Sequence, residues 1–183
     1  MDLDNIARTL RRRHVIAPPC PWLQAVSVFV DEQYDNFDYD IIGPRARLKI
    51  AAALKELGFD QKSGRRFEKG DDVVEFPPPT RTLASDPGIE FERTMQRAPG
   101  AVLATPTQIL LTTWRHEGPV LAEHRRNALL DLVFEQPANL DKVHDWLRRT
   151  DSTLDFRRFK PALAARQAEG TQRRRQGRMR SAG

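Results

Sequence analysis

The sequence has one cysteine and no long apolar run, and these absences exclude several classes of protein. Cys20 has no second cysteine to pair with, so no intrachain disulfide can form and a cytoplasmic location is the simplest interpretation. No apolar run approaches the ~20 residues that a membrane-spanning helix needs. The acidic start, Met1 to Asp4, lacks the apolar segment of a secretory signal. We therefore expect a protein that works away from membranes.

Motifs for several common chemistries are missing as well. The sequence contains no Walker-type loop, no Gly-x-Gly-x-x-Gly and no Gly-x-Ser-x-Gly. The four histidines are not spaced as metal ligands, either with one another or with the cysteine. Cys20 stands between two prolines with no base nearby in sequence, so we interpret it as an incidental thiol.

Positive charge is concentrated towards the C-terminus. From residue 161 onwards there are six arginines and one glutamate, a sum of +5 that equals the charge of the whole chain, so residues 1–160 sum to zero. Because bulky apolar residues are nearly absent beyond Ala165, we predict a disordered tail over 161–183. Either this tail is merely solvated, or its arginines contact nucleic-acid phosphates without reading sequence. The candidate contacts are Arg173, Arg174, Arg175, Arg178 and Arg180. A smaller basic cluster comprises Arg8, Arg11, Arg12 and Arg13.

The periodicity of apolar residues predicts both helices and strands. Helical spacing is predicted for residues 3–14, 45–57, 107–116, 121–134 and 140–149. Strands are predicted for residues 37–42, 65–68, 72–76 and 100–104, with a Gly70-Asp71 turn between the middle two. Residues 22–31 fit either a helix or a strand, and residues 80–100 fit a loop.

This order of elements indicates the α+β class. We predict a small mixed β-sheet with flanking helices, followed by a helical C-terminal lobe. The predicted segments are an N-terminal helix with a proline-rich linker over 1–21, an α/β core over 22–104, a helical lobe over 105–160 and the tail. Leu48, Ala51, Ala52, Leu54 and Leu57 are predicted to form the buried stripe of the second helix.

Three carboxylates form a candidate metal site. Asp38 and Asp40 lie two residues apart in a predicted strand, so both would project from the same face. Glu75, in the predicted strand 72–76, is a possible third ligand. Such a cluster can hold Mg²⁺ and position a nucleoside triphosphate. The alternative is that the acidic pair belongs to a solvated strand face.

Residues from about Trp22 to Phe159 resemble the nucleotidyltransferase-like proteins of the polymerase-beta superfamily. The similarity is to small bacterial members found in abortive-infection and toxin–antitoxin contexts. It is carried by Asp38-Tyr39-Asp40 ahead of the helix that ends in Leu-Gly-Phe, by the hairpin that contains Glu75, and by Thr105-Pro106-Thr107 at the start of the helical lobe.

The resemblance implies two alternative functions. In the first, an enzyme transfers a nucleotidyl group from Mg²⁺-NTP to a hydroxyl acceptor; Asp38, Asp40 and Glu75 bind the metal, and Ser27 contacts phosphate. The family has glycine before that serine, whereas this chain has Val26, which would crowd a phosphate. The second alternative is therefore an inactive protein of the same fold that binds nucleic acid or a protein partner. The enzyme hypothesis requires Ser27 to lie beside the acidic cluster with its hydroxyl available.

Overall fold

The computed structural model describes residues 1–30, 42–77, 87–97, 100–117, 120–149 and 153–181. Within these ranges the chain forms seven α-helices, a mixed six-stranded sheet and a two-stranded sheet. The strands are β1 Val15–Ile16, β2 Pro19–Cys20, β3 Ala25–Ser27, β4 Phe29–Val30, β5 Asp60–Gln61, β6 Arg66–Lys69, β7 Asp72–Glu75 and β8 Ala101–Ala104. The helices are α1 Leu3–Arg12, α2 Pro44–Glu56, α3 Pro87–Arg97, α4 Pro106–Glu117, α5 Glu123–Glu135, α6 Leu140–Leu147 and α7 Thr153–Ser181. The predicted α+β class with a mixed sheet is confirmed.

The larger sheet is built around β8. Its strand order is β2-β3-β8-β7-β6-β5, and β8 runs parallel to both of its neighbours, β3 and β7. The remaining pairs are antiparallel, including the β6–β7 hairpin predicted from its glycine turn. β1 and β4 form the separate antiparallel pair.

Helices cover both faces of the sheet. Successive strand residues point to opposite sides, so Val102 and Leu103 of β8 belong to two different apolar clusters. One cluster contains α1 and α2, and its largest buried side chains include Ile6, Leu10, Ile50 and Leu54. The other joins the sheet to α3–α7 around Trp114, whose ring meets that of Phe156 edge-on at 5.0 Å. No helix in the described ranges combines the length and the apolar character needed to cross a membrane.

Two helix starts follow the local sequence signals. The Asp2 side chain accepts a hydrogen bond from the backbone N–H of Asp4 at 2.9 Å and so caps α1. Thr105 and Gln108 form a capping box at α4, because each side chain bonds to the other residue's backbone N–H, at 3.3 and 3.0 Å. The predicted start of a helix at Thr105-Pro106 is confirmed.

One open alternative is resolved, and two local predictions need correction. Residues 22–31 fit either a helix or a strand, and β3 and β4 are strands there because residues 25–30 are buried and rich in valine. Part of the predicted loop at 80–100 is helix α3, which is anchored by the fully buried Phe91. Leu48 was assigned to the buried stripe of α2, yet it is 73% exposed, since Ala46 and Ile50 lie on the inner face instead.

The predicted disordered tail is replaced by a helix. α7 runs through Pro161 and continues to Ser181. Alanine, arginine and glutamine favour a helix but offer no bulky apolar side chain. The composition of this segment therefore predicted disorder where a helix forms. Leu163 is fully buried, and the guanidinium of Arg166 stacks on the Phe134 ring of α5 at 4.1 Å. Packing against α5 therefore orders a segment that has little apolar surface of its own.

Candidate nucleic-acid interface

Ser27 lies at the end of β3 and is fully buried. Its hydroxyl donates a hydrogen bond to Oε1 of Gln136, which follows α5 and is also fully buried. The same Gln136 amide donates from Nε2 to the carbonyl oxygens of Ile16 at 2.6 Å and Ser27 at 3.3 Å. The hydroxyl predicted to contact phosphate is therefore engaged in a structural contact that ties β3 to the end of α5.

Glu75 lies at the end of β7 with its side chain only 8% exposed. Arg66 on β6 places Nη1 3.3 Å from Glu75 Oε2 and donates from Nε to Glu68 at 2.6 Å. The hydrogen bond to Glu68, with a further contribution from Glu75, raises the pKa of Arg66 above its usual value. The Glu75 carboxylate is therefore already paired with a cation that stays charged and that it shares with Glu68.

Ser27 and Glu75 share a face of the sheet but are not neighbours. Ser27 pairs with Ala104, and Glu75 pairs with Val102 on the other side of β8. Two strand spacings, roughly 10 Å, separate their strands. Both edges of β7 at Glu75 are occupied, by Arg66 and Val102, so no further strand can pair there.

Asp38 and Asp40 lie outside the described residues, so the predicted three-carboxylate site stays a prediction. Among the residues that are described, no group of three or more histidine, cysteine, aspartate or glutamate side chains could hold a metal ion. The interpretation of Cys20 as a non-catalytic thiol agrees with its surroundings. Cys20 is buried, and burial raises its pKa to about 12, so almost no reactive thiolate exists near neutral pH.

A cleft forms where residues from both ends of the described chain meet. It has a volume of about 620 Å³ and is here called the terminal cleft. Its lining residues are Arg11, His14, Val15, Ile16, Phe134, Glu135, Gly170, Arg173 and Arg174. The end of α1 and β1 provide one wall, and the end of α5 and the middle of α7 provide the other. Two basic clusters that are remote in sequence thus contribute to one concave surface.

Contacts along the α7 wall hold its arginines in place. Arg174 donates from Nη2 to the backbone carbonyl oxygen of Glu135 at 2.7 Å. The Arg173 guanidinium lies 5.7 Å from the centre of the Phe134 ring, while its side chain remains exposed. Gly170 makes this packing possible, since a Cβ at that position would lie only 2.8 Å from the carbonyl carbon of Phe134. The close approach of α7 to α5 therefore places the arginines at the cleft.

The arginines that the sequence marked as possible nucleic-acid contacts have different surroundings in the structure. Of the N-terminal cluster, Arg12 and Arg13 form ion pairs with Glu56 on α2, at 2.7 and 3.2 Å, whereas Arg11 lines the cleft. Of the predicted tail contacts, Arg173 and Arg174 line the cleft. Arg175 is exposed on α7, and Arg178 and Arg180 follow on the same helix.

Sequence reasoning missed two residues of this region. His14 lies in the cleft wall with a left-handed backbone (φ 59°), directly after the Arg13 C-cap of α1, and nothing in the sequence marks that turn. Gln136 has no motif around it, and its importance depends on contacts with residues 109 and 120 positions away. Only the density of arginine near both ends of the sequence pointed towards this surface.

Comparisons of the chain with protein-family models, with curated proteins and with solved structures find no match in any of the three. The resemblance to nucleotidyltransferase-like proteins therefore stays a prediction that depends on the residues alone.

Proposed function

We propose that this chain is a nucleic-acid-binding protein that holds backbone phosphates in the terminal cleft. The observation that carries the proposal is the convergence of Arg11 with Arg173 and Arg174 on one cavity. Because residues 1–160 have no net charge, this is a local concentration of cations rather than a generally basic surface.

The chemistry of the lining suits a phosphodiester backbone. Guanidinium groups present planar pairs of donors that match phosphate oxygens, and they stay charged at every working pH. Ile16 and Phe134, both half-buried, give the cleft apolar surface on which a sugar or base can rest. Glu135 is the acidic exception in the lining, and it opposes a phosphate placed directly beside it.

The size of the cleft favours one class of nucleic acid. A volume of about 620 Å³ lies in the range of small-ligand sites and suits a short stretch of single strand better than a whole duplex. Single-strand binding of this kind combines a basic groove with apolar or aromatic contacts and is strongly salt-dependent. Single-stranded RNA or DNA is therefore the ligand class we expect.

Removing one arginine from each wall is the direct test. The variant Arg11→Ala/Arg173→Ala should bind a fluorescently labelled single-stranded RNA about tenfold more weakly at low salt. Each lost phosphate contact should also reduce the steepness of the log affinity–log salt plot by about 0.7 to 1. Fluorescence anisotropy titrations between about 50 and 200 mM salt measure both quantities.

The matched control removes two arginines outside the cleft. Arg12→Ala/Arg13→Ala changes the net charge equally but takes away side chains that pair with Glu56. We expect less than a twofold loss of affinity from this variant. Equal losses in both variants would mean that overall charge, not the terminal cleft, binds the nucleic acid, and the proposal would fail.

Nucleotidyl transfer is a second candidate function, favoured by one observation. Glu75 is a nearly buried carboxylate at the carboxyl end of a strand that runs parallel to β8, a common position for ligand-binding side chains. Arg66 opposes this role by pairing with Glu75, and the buried Ser27 hydroxyl is engaged by Gln136.

Titration calorimetry with Mg²⁺-NTP separates the two candidates. We expect no binding heat that depends on Asp38, because Ser27, the residue predicted to hold phosphate beside the carboxylates, is not accessible. Specific binding that Asp38→Asn abolishes would contradict this expectation and support the nucleotidyltransferase. Arg12→Ala, at the remote α1–α2 ion pair, is the control and should leave the calorimetric result unchanged.

A further inference from the structure

One edge of the six-stranded sheet is open in the described part of the chain. β5 is the outermost strand on that side and pairs only with β6. The N–H of Lys62 donates to the carbonyl oxygen of Arg66, so by the alternation of an antiparallel ladder the N–H and C=O of Gln61 point outwards. An outer strand with outward-facing backbone groups is able to pair with another strand.

An apolar face of α2 lies beside this open edge. Leu48, Ala51, Ala52 and Lys55 recur at helical spacing on one face, opposite the buried face that contains Ile50. Ala51, Ala52 and Lys55 line a groove of about 370 Å³ together with residues of β5. Leu48, one turn earlier on this face, is 73% exposed. The open edge and the exposed apolar helix face therefore form one continuous surface.

The charges beside the open edge match those of a second, identical edge. Asp60 and Lys62 flank Gln61, both are exposed, and their side chains lie on the same side, 3.9 Å apart. If a second identical edge pairs antiparallel about Gln61, Asp60 of each copy faces Lys62 of the other. A two-fold interface requires this kind of self-complementarity, whereas other registers would lose the match.

We propose that a second copy of this chain docks here through antiparallel β5–β5 pairing. The two sheets then become continuous, and the two α2 helices lie side by side on the same face. Ala51 and Ala52 are small enough to let the helices approach closely, with Leu48 covering the contact. The predicted interface is that of a symmetric homodimer.

Charge reversal tests the proposed register. Asp60→Lys places lysine opposite lysine across the two-fold axis, and Lys62→Asp places aspartate opposite aspartate. Each variant alone should raise the dimer dissociation constant at least about tenfold, as measured by sedimentation across a concentration series of the full chain. An equimolar mixture of the two should recover wild-type affinity, because the new lysine of one copy then faces the new aspartate of the other.

The mixture distinguishes contacts between copies from damage within one copy, since neither variant can repair the fold of the other. Leu48→Asn should also weaken dimerisation. At concentrations below the dimer dissociation constant it should leave the unfolding transition unchanged, because the side chain is exposed in a single copy. A wild-type chain that stays monomeric at every concentration overturns the proposal and leaves the edge to a strand from another protein. Single variants that dimerise as wild type, or a mixture that recovers nothing, also overturn it.

Discussion

Replacing Gly170 by alanine should destabilise the protein by about 2 kcal/mol, although alanine is the better helix former. Gly170 lies where α7 crosses the end of α5, and an added Cβ would lie inside contact distance of the Phe134 carbonyl group. That group is backbone and cannot rotate away, so α7 has to shift. The terminal cleft should open as a result, because Gly170, Arg173 and Arg174 all belong to its α7 wall.

Gly177 supplies a control on the same helix. A Cβ at Gly177 meets nothing within 4 Å, so Gly177→Ala should be neutral or stabilising by up to about 1 kcal/mol. Chemical denaturation measures the free energy of unfolding of both variants, and RNA titration measures their affinity. Equal stability of the two variants would show that α7 does not pack closely on α5.

Replacing Gln136 by leucine should lower the free energy of unfolding by about 3 to 5 kcal/mol, more than Gly170→Ala does. The side chains are similar in size, but leucine leaves the buried Ser27 hydroxyl without its acceptor and the Ile16 carbonyl oxygen without its donor. Each unpaired buried polar group costs roughly 1 to 3 kcal/mol. Gln172→Leu, the same change at an exposed position of α7, should change stability by less than about 0.5 kcal/mol.

A double-mutant cycle isolates the contact between Ser27 and Gln136. Ser27→Ala alone should cost about 1 to 2 kcal/mol, because it leaves one buried amide oxygen unpaired. The double variant Ser27→Ala/Gln136→Leu should lower the free energy of unfolding by clearly less than the sum of the two single losses. In that variant residue 27 carries no hydroxyl that needs a partner. Additive losses would mean that the hydroxyl is not committed to Gln136, and the enzyme hypothesis would regain its phosphate contact.

Local signals predicted local structure well. The helix start at Thr105-Pro106 and the glycine turn between β6 and β7 depend on residues within four positions of one another, so the sequence displays them directly. α2 was also found, but its exposed Leu48 was misassigned. Periodicity alone cannot tell which of two apolar faces is buried when both carry alanine and leucine.

The candidate site could be predicted only in part. Composition identified arginines at two ends of the sequence, but their meeting depends on α7 packing against α5, which no local pattern encodes. The low apolar content after Ala165 suggested disorder, whereas Arg166 stacks on Phe134 and Gly170 allows close helix contact. The family resemblance implied a phosphate contact for Ser27, and only the long-range partner Gln136 shows that its hydroxyl is engaged.

The composition of the terminal cleft has a consequence for the timing of synthesis. Residues 11–16 of one wall are translated well before residues 170–174 of the other. The proposed RNA site is therefore incomplete until α7 has emerged and packed on α5, a contact that also requires most of the intervening structure. On the proposed function, truncated chains that end before residue 170 should lose binding in this cleft, because one of its two walls is missing.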